Sequence, residues 1–381
     1  MWLVGTILCS SSDFNTKVGG PILQLQQDDT MHYKTDDVRI SGIQEVSPPA
    51  DLHAEYPLDE GVSETVFHHR QAIHKILHGE DDRLVIIVGP CSIHDPDAAR
   101  DYAKRLKPLI DELEEELCII MRVYFEKPRT TVGWKGLIND PDMDESFHIN
   151  KGLRLARSLL LDLNKHGVPA ATEFLDLISP QYIADLISWG AIGARTTESQ
   201  GHRELASGLS CPIGFKNSTD GGLKIAIDAV NAASRPHVFM SLTKHGHSAI
   251  FSTTGNDDCH IILRGGKQPN YDSASVKEAA RQLEENGLRS LLMVDCSHAN
   301  SNKDYRRQAD VCRDVAKQIS NGERAIMGIM LESHLVEGRQ DVEHGKEPTY
   351  GQSITDACIN WDTTEILLRE LAEAVKARRT A

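Results

Sequence analysis

The stretch that decides the fold is LVIIVGPC, at residues 84–91. Five apolar residues follow one another without the polar alternation of a half-exposed strand, and Gly-Pro-Cys ends the run. Such a run is typical of a parallel strand that is buried on both faces. Seven similar runs follow along the chain, at residues 118–125, 170–174, 191–194, 213–215, 261–263, 291–294 and 325–331.

Helical patterns alternate with these apolar runs. Apolar residues at helical spacing predict helices over residues 65–79, 97–113, 150–166, 180–189, 273–286, 305–320 and 355–378. Eight β-α units favour a closed (β/α)8 TIM barrel over a doubly wound open sheet. We therefore predict an α/β fold in which residues 81–381 form the barrel.

Two segments depart from this alternation. Residues 237–243 and 248–253 are β-like runs joined by a short turn, and they predict an external β-hairpin insert over residues 237–254 whose edge must be covered. Before the barrel, residues 31–80 predict an N-terminal arm, with a short strand around residues 38–40, and a helix. Residues 1–30 predict a disordered extension, with Met31 as an alternative start.

Composition excludes several classes of function. The chain has 381 residues and a net charge of −15, from 41 Lys+Arg against 56 Asp+Glu, which disfavours non-specific binding to nucleic acid. No long apolar run predicts a membrane-spanning helix. None of the 8 cysteines forms a C-x-x-C pair and no signal peptide is recognisable, so we expect a cytoplasmic protein with reduced thiols.

Polar residues occur at or near the end of every predicted strand, where barrels of this kind place their active sites. One group is cationic and suits a small polyanion: Arg122, Lys127, Arg129, Arg195, Lys216 and Arg264. A second group offers a thiol, an imidazole and two carboxylates: Cys91, His298, Glu332 and Asp356. These donors suit a divalent metal ion (Mn, Fe, Co or Zn). Taken singly, each residue has a structural alternative: Cys91 as a buried apolar side chain, His298 as a general base, and the others as ion pairs.

Six motifs on these strand ends carry a resemblance to a known family. They are GPCSIH at residues 89–94, RVYFEKPRTT at 122–131, GARTTES at 193–199, GFKN at 214–217, ILRGG at 262–266 and SHAN at 297–300. The chain, from about Met31 onward, resembles the class I (type I alpha) 3-deoxy-D-arabino-heptulosonate-7-phosphate (DAHP) synthases. The resemblance implies condensation of phosphoenolpyruvate (PEP) with erythrose 4-phosphate, the first step of the shikimate pathway of aromatic amino acid biosynthesis.

The resemblance also implies roles for individual residues. PEP is expected to be held by Arg122, Lys127, Arg195, Lys216 and Arg264, with Glu173 nearby. The phosphate of the aldose is expected to lie against residues 127–130, with Arg129 and Thr130 as contacts. Cys91, His298, Glu332 and Asp356 are the expected metal ligands, and Lys127, with a pKa lowered by neighbouring cations, is the expected proton donor.

Two alternatives remain open from the sequence. A 3-deoxy-octulosonate-8-phosphate synthase has a similar fold and chemistry but uses a five-carbon aldose phosphate. A non-catalytic ligand sensor on the same barrel would retain the pocket without the reaction.

The resemblance further implies assembly and regulation. Family members form dimers that pair into tetramers, so we expect a homo-oligomer and favour a tetramer. An aromatic amino acid is the expected inhibitor, and Ser241 resembles phenylalanine-sensitive members where tyrosine-sensitive ones have glycine. The residues expected at this allosteric site are Asp36, Asp37, Asp176, Pro180, Gln181, Leu205, Ser210, Phe239 and Ser241.

Overall fold

The computed structural model describes residues 33, 35–129, 133–342 and 346–381. The chain divides into two compact units, residues 1–47 and 48–381. In the first unit, the short strand predicted around residues 38–40 is wrong. The backbone there turns, with Asp37 in the left-handed region at φ 53° and its carbonyl accepting from the Ile40 amide at 3.1 Å. The extension predicted at residues 1–30 lies outside the described residues.

The second unit contains the strands of a closed parallel barrel and two small additional sheets. In chain order the strands are β1 (Leu84–Gly89), β2 (Leu117–Arg122), β3 (Ala170–Glu173), β4 (Trp189–Ile192), β5 (Ile213–Lys216), β6 (Val238–Leu242), β7 (Ser248–Ser252), β8 (Cys259–Leu263), β9 (Leu292–Asp295), β10 (Ile326–Glu332), β11 (Val336–Arg339) and β12 (Gln352–Ser353). Eight of them form the barrel, in the order β1-β2-β3-β4-β5-β8-β9-β10, and β10 pairs with β1 to close it. The predicted (β/α)8 barrel is confirmed.

Helices connect and cover these strands. They are α1 (Pro49–Glu55), α2 (Glu60–Leu77), α3 (Pro96–Glu112), α4 (Ile149–Lys165), α5 (Pro180–Ile183), α6 (Gln200–Gly208), α7 (Lys224–Ala233), α8 (Ser273–Glu285), α9 (Gln308–Ser320) and α10 (Trp361–Thr380). Two short 3-10 helices lie at Ala184–Leu186 and Tyr305–Arg307. No helix in the described ranges is long and apolar enough to cross a membrane.

The helix predicted over residues 65–79 begins earlier, at Glu60. Two further predicted helix boundaries are wrong. The helix predicted over residues 180–189 ends early, because the Ser188 amide donates to the Ala170 carbonyl at 2.8 Å and Trp189 begins β4. The last helix begins at Trp361 rather than near residue 355. Asn360 is its N-cap, and the Asn360 side chain accepts from the Thr363 amide at 2.9 Å. Sheet pairing and capping therefore override the apolar spacing at these two ends.

The core has two layers. Alternate residues of β1 point outward, so that Ile86 and Val88 pack among the residues that face the helices. Val85 and Ile87 point inward and pack with Trp189 and the other residues that fill the barrel. Ile73, Ile76 and Leu77 of α2 belong to this inner cluster. Since α2 leads into the start of β1, it closes the N-terminal end of the barrel and leaves the carboxyl end open.

The hairpin stands outside the barrel. Strands β6 and β7 pair antiparallel, with Phe239 opposite Phe251 and Ser241 opposite Ala249 on one face. The other face carries Val238, Met240 and Ile250, which are 68%, 85% and 76% exposed.

Candidate active site

A cavity of about 600 Å³ opens at the carboxyl ends of the barrel strands. Its lining contains the substrate-binding residues that the sequence predicts within the described ranges: Arg122, Lys127, Arg129, Glu173, Arg195, Lys216 and Arg264. Thr130 lies outside the described residues. His298, Glu332 and Asp356 line the same cavity. The barrel thus brings together residues that are widely separated in the chain.

Arg122 is held rigidly in the wall of this cavity. Its Nη2 donates to Glu332 Oε1 at 3.0 Å and to the Cys91 carbonyl at 3.2 Å, and its Nε donates to the Pro90 carbonyl at 3.1 Å. The guanidinium carbon lies 3.5 Å from the centre of the Tyr124 ring. Burial alone would lower the pKa of Arg122, but Tyr124 and Glu332 outweigh burial and raise it. Arg122 is therefore a fixed positive charge.

Lys216 is anchored by a carboxylate that is not among the predicted site residues. Asp295, which is fully buried, accepts from Lys216 Nζ at 3.0 Å. The same Asp295 Oδ2 lies 2.9 Å from His298 Nδ1. His298 and Lys216 oppose the burial of Asp295 and hold its pKa well below the usual range. One carboxylate thus orients both a predicted PEP contact and a predicted metal ligand. The signal available in the sequence was its position at the end of β9, three residues before His298.

Three of the four predicted metal ligands converge. Donor atoms of Cys91, Glu332 and Asp356 lie within 4.8 Å of one another, and Cys91 Sγ is 3.5 Å from Asp356 Oδ2. Burial and the nearby Glu332 carboxylate raise the pKa of the Cys91 thiol to about 11. A bound cation would offset both effects, since metals bind thiols as thiolates. The donor set therefore fits a divalent metal ion.

His298 faces the same cavity but lies outside that group of three. Its Nδ1 contacts Ser297 Oγ at 2.6 Å and Asp295 Oδ2 at 2.9 Å. These contacts leave Nε2 as the ring nitrogen that can bind a metal, an arrangement that recurs among metal-binding histidines. The backbone of His298 is left-handed, with φ 54°.

Lys127 lies beside the candidate metal ligands. Its Nζ is 3.1 Å from Cys91 Sγ and 4.0 Å from Asp356 Oδ2. The expected lowering of the Lys127 pKa is wrong for this arrangement. Burial does lower the pKa, but Cys91, Glu332 and Asp356 together raise it further than burial lowers it. The anions nearest to Lys127 therefore decide the direction, rather than the surrounding arginines.

The remaining cavity residues are positioned individually. Arg129 is exposed and donates from Nε to the Trp134 carbonyl at 3.0 Å. Burial lowers the pKa of Arg264, whose amide donates to Asn217 Oδ1 at 2.8 Å. Glu173 is buried against Gly193, where a Cβ would lie 2.3 Å from Glu173 Oε1. Gly193 thus leaves the space that the Glu173 carboxylate occupies.

The residues predicted for an allosteric site lie on several different elements of the fold. Asp176 Oδ1 accepts from the Ile178 and Ser179 amides at 2.6 and 2.8 Å, just before Pro180 and Gln181 begin α5. Leu205 lies on α6, Ser210 follows it, and Phe239 and Ser241 lie on β6. The Gln181 carbonyl accepts from Lys244 Nζ in the hairpin turn and contacts His53 Nε2 of α1 at 3.2 Å. Asp36 and Asp37 belong to the separate unit of residues 1–47.

A second contact connects this loop to the cavity. Ser179 Oγ donates to Glu126 Oε2 at 2.9 Å, and Glu126 directly precedes Lys127. Burial and the nearby Asp176 raise the pKa of Glu126 to about 7. Glu126 is not among the predicted site residues, because only the fold places it against Ser179.

We expect Asp295→Asn to weaken metal binding about 10- to 100-fold, because loss of a partner that orients a metal-binding histidine typically has an effect of this size. Titration of the protein with Mn²⁺ or Co²⁺ measures this change. The matched control is Asp228→Asn, which alters an exposed ion pair with Lys224 on α7 and should leave metal affinity unchanged. Equal affinity in Asp295→Asn and the parent would show that Asp295 does not position His298.

Comparison with known proteins identifies the family. The sequence profile of the DAHP synthetase I family matches residues 56–369. The chain is 64% identical over 349 residues to the Phe-sensitive phospho-2-dehydro-3-deoxyheptonate aldolase of Escherichia coli strain K12, covering 92% of this chain and 100% of that protein. It is 55% identical over 345 residues to the Trp-sensitive enzyme of Escherichia coli O157:H7, covering 91% of this chain and 99% of that protein.

A solved structure agrees with the sequence matches. The phospho-2-dehydro-3-deoxyheptonate aldolase of Francisella tularensis SCHU S4 superposes with a TM-score of 0.87 and 53% identity, over 89% of this chain and 99% of that one. With most of each chain covered at such identity, this chain belongs to the DAHP synthetase I family, the enzymes that condense PEP with erythrose 4-phosphate.

Proposed function

We propose that the cavity at the carboxyl end of the barrel is where this chain condenses PEP with erythrose 4-phosphate and water, giving DAHP and phosphate. The observation that carries the proposal is a local reversal of charge. The chain has a net charge of −15, yet eight basic side chains line this one cavity: Arg122, Lys127, Arg129, Arg195, Lys216, Arg264, Lys303 and Arg339. A cationic cavity in an acidic protein concentrates small anionic substrates such as sugar phosphates and PEP.

PEP binds to the buried part of the cationic wall. Arg122, Lys216 and Arg264, with Arg195 and Lys127, offer donors for its carboxylate and phosphate, and guanidinium groups match both in geometry. Arg122 and Lys216 are already fixed by Glu332 and Asp295, so little side-chain freedom is lost on binding. Such fixed contacts hold C3 of PEP toward the second substrate, which lowers the entropic part of the barrier.

Erythrose 4-phosphate binds at the cavity rim. Arg129 is the principal cation there, and its bond to the Trp134 carbonyl orients the guanidinium. Thr130 follows it in sequence and is the second proposed contact. This division places the phosphate of the aldose toward solvent and its aldehyde toward Lys127.

The metal site consists of Cys91, His298, Glu332 and Asp356. A divalent ion held there supplies Lewis-acid polarisation of a carbonyl oxygen. Mn, Fe, Co and Zn all accept this mixture of donors, so the ligands do not select one of them. Lys127 Nζ, 3.1 Å from Cys91 Sγ, holds the proton that passes to the alkoxide formed from the aldehyde.

Removing the metal should abolish the reaction. We expect chelator-treated enzyme to be inactive and several divalent ions to restore the rate of PEP consumption. Cys91→Ala should lose both metal and activity while its melting temperature changes little. Cys312→Ala, which alters a buried thiol on α9, is the matched control and should retain metal. Full activity in metal-free enzyme would refute the proposed role of these ligands.

The KM values of the two substrates should depend on different arginines. We expect Arg264→Ala to raise the KM for PEP about 10- to 150-fold, since a charge-assisted contact contributes about 1.5–3 kcal/mol. Arg129→Ala should raise the KM for erythrose 4-phosphate and spare that for PEP, as measured by steady-state kinetics with each substrate varied.

Arg281→Ala removes an exposed guanidinium on α8 that pairs with Glu278, and it serves as the control for loss of charge alone. The division of the cavity is wrong if Arg129→Ala weakens PEP and leaves the aldose unaffected. Replacing erythrose 4-phosphate by a five-carbon aldose phosphate tests the alternative substrate class, and we expect little turnover with it.

Phenylalanine is the proposed inhibitor among the aromatic amino acids. On one face of the hairpin, the Phe239–Phe251 pair stands beside the small Ser241–Ala249 pair, with ring centroids of the aromatic pair 6.2 Å apart. The small pair beside the large aromatic pair supports a binding site for an aromatic ring on this face of the hairpin. The bonds from Lys244 to Gln181 and from Ser179 to Glu126 connect the hairpin to the substrate cavity. Inhibition requires that the ligand bind one arrangement of these elements better than another.

Phenylalanine should therefore inhibit the parent enzyme more strongly than tyrosine or tryptophan. We expect Ser241→Gly to shift the preference toward tyrosine, because it removes the side chain that occupies the space for a phenolic hydroxyl. Initial rates against each amino acid measure this. Ser248→Gly, on the opposite strand and facing outward, is the control. Stronger inhibition of the parent by tyrosine would overturn this assignment, and indifference to all three would remove the regulatory site.

A homo-oligomer, with a tetramer favoured, is the proposed assembly. The outward face of the hairpin supports this, because Val238, Met240 and Ile250 form an exposed apolar strip that a second copy would cover. Light scattering of the full chain should give a mass several times that of one chain.

The cysteines in the described ranges are buried and unpaired, which supports the proposed cytoplasmic location.

A further inference from the structure

A cluster of metal-binding side chains lies at the opposite end of the barrel from the substrate cavity. His74, in the last turn of α2, and His78, its C-cap residue, are four positions apart and lie on one face of the helix. Asp258 directly precedes β8 and lies between them in space. Asp258 Oδ1 is 2.8 Å from His74 Nδ1 and 3.1 Å from His78 Nε2. Both imidazoles thus contact one carboxylate oxygen.

The spacing of these donors suits a small cation. One ligand atom from each of the three residues lies within 4.8 Å of the other two. Bonds of about 2.0–2.1 Å around a tetrahedral Zn²⁺ separate neighbouring donors by roughly 3.3 Å. The observed contacts of 2.8 and 3.1 Å need only a small expansion to reach that value. The centroids of the two rings lie 4.0 Å apart, with an angle of 32° between the ring planes.

The three side chains are carried by fixed parts of the fold. Ile73, Ile76 and Leu77 anchor this end of α2 in the barrel interior. The Asp258 amide donates to Asn256 Oδ1 at 3.1 Å, and the buried Asn256 side chain donates to the Ala206 and Cys211 carbonyls. Binding therefore orders little additional chain. The side chains of His74, His78 and Asp258 are 35%, 22% and 17% exposed, so an ion and a water ligand can reach them.

One neighbour opposes a cation at this position. Arg289 Nη2 lies 3.0 Å from His78 Nε2, and Nη1 donates to the Asp257 carbonyl at 2.6 Å. Because Arg289 is only partly enclosed and contacts His78 at the exposed edge of the cluster, its guanidinium can move into solvent. The Asp257 carboxylate, 4.0 Å from His78 Nε2 and 73% exposed, offsets part of this charge and is a further oxygen donor.

We propose that His74, His78 and Asp258 form a second divalent-cation site, separate from the catalytic ligands, that takes a first-row ion such as Zn²⁺ with water completing its coordination. An ion bound there joins α2 to the start of β8, elements 180 or more positions apart in the chain. The site is structural, since it lies at the closed end of the barrel and lines no part of the substrate cavity.

Metal counting on the full chain tests the proposal. Equilibrium dialysis against Zn²⁺ should give two ions per parent chain, one for Cys91→Ala, one for Asp258→Asn and none for the double variant. Asp258→Asn keeps the size of the side chain, removes its charge and replaces one acceptor oxygen by an NH2 group. We expect the fold to be retained. His68→Ala, on the exposed face of the same helix, should bind as many ions as the parent.

Co²⁺ absorption gives a readout that does not depend on activity. The catalytic ligands include a thiolate and should produce a near-ultraviolet charge-transfer band, whereas the second site has none and should add only visible bands, which Asp258→Asn removes. Arg289→Gln should bind the second ion at least threefold more tightly. Equal ion counts and equal affinities in the parent and Asp258→Asn would overturn the second site. An unchanged count in Cys91→Ala would instead contradict the catalytic ligands and leave this site standing.

Discussion

The pairing of β1 with β10 is the interaction on which the rest of the structure depends. It joins residues near positions 85 and 330, with Gly89 opposite Glu332, and it closes the ring of eight parallel strands. On the other side of β1, a Cβ on Gly89 would lie 2.8 Å from the carbonyl of Arg122 in β2, and Gly89 itself has φ 151°. Glycine therefore permits the close approach of β1 and β2 that places Cys91 beside Arg122 and Glu332. Without the closed seam, the thiol and the carboxylate would have no common location.

Buried charges at the carboxyl end are arranged in compensated groups. Arg122 pairs with Glu332, Lys216 pairs with Asp295, and Lys127 Nζ lies 4.0 Å from Asp356 Oδ2. Burying any of these charges alone would be costly, so each buried cation has a carboxylate partner. Glu332 serves both the cationic wall and the candidate metal ligands, and Asp295 serves both Lys216 and His298. The residues proposed to bind PEP and those proposed to bind the metal therefore share two carboxylates.

The two ends of the barrel have different tasks. The carboxyl end is open and contains the cavity proposed as the active site, which is the usual place for one in this fold. The N-terminal end is closed by α2, whose apolar residues enter the barrel while His74 and His78 remain at the surface. Between the ends, the hairpin and the loop before α5 lie to one side, where Lys244 bonds to Gln181. Ser179 of that loop donates to Glu126, which directly precedes Lys127 in the chain.

Much of this was determined by the sequence itself. Uninterrupted apolar runs located the eight barrel strands to within a few residues, because strands buried on both faces leave no polar positions in their sequence. Polar residues at the ends of those runs identified the cavity lining, since parallel strands place all their carboxyl ends together. The sequence determined the first and last residues of these elements less accurately. Neither the entry of Trp189 into β4 nor the capping of α10 by Asn360 follows from apolar spacing.

The tertiary structure determined the side-chain partners and the pKa shifts, because both depend on the distances between groups and on their burial. The sequence contains Asp295 and Glu126, but only packing shows that one fixes Lys216 and His298 and that the other contacts Ser179. The direction of the Lys127 pKa shift was wrong from sequence, because electrostatic effects fall with distance and the nearest charges are Cys91, Glu332 and Asp356. Likewise, no sequence motif connects His74 and His78 with Asp258, and only the fold brings their ligand atoms within 4.8 Å of one another. The spacing of apolar residues along the sequence determines helices and strands. Contacts between residues that are distant in the sequence form only when the chain folds.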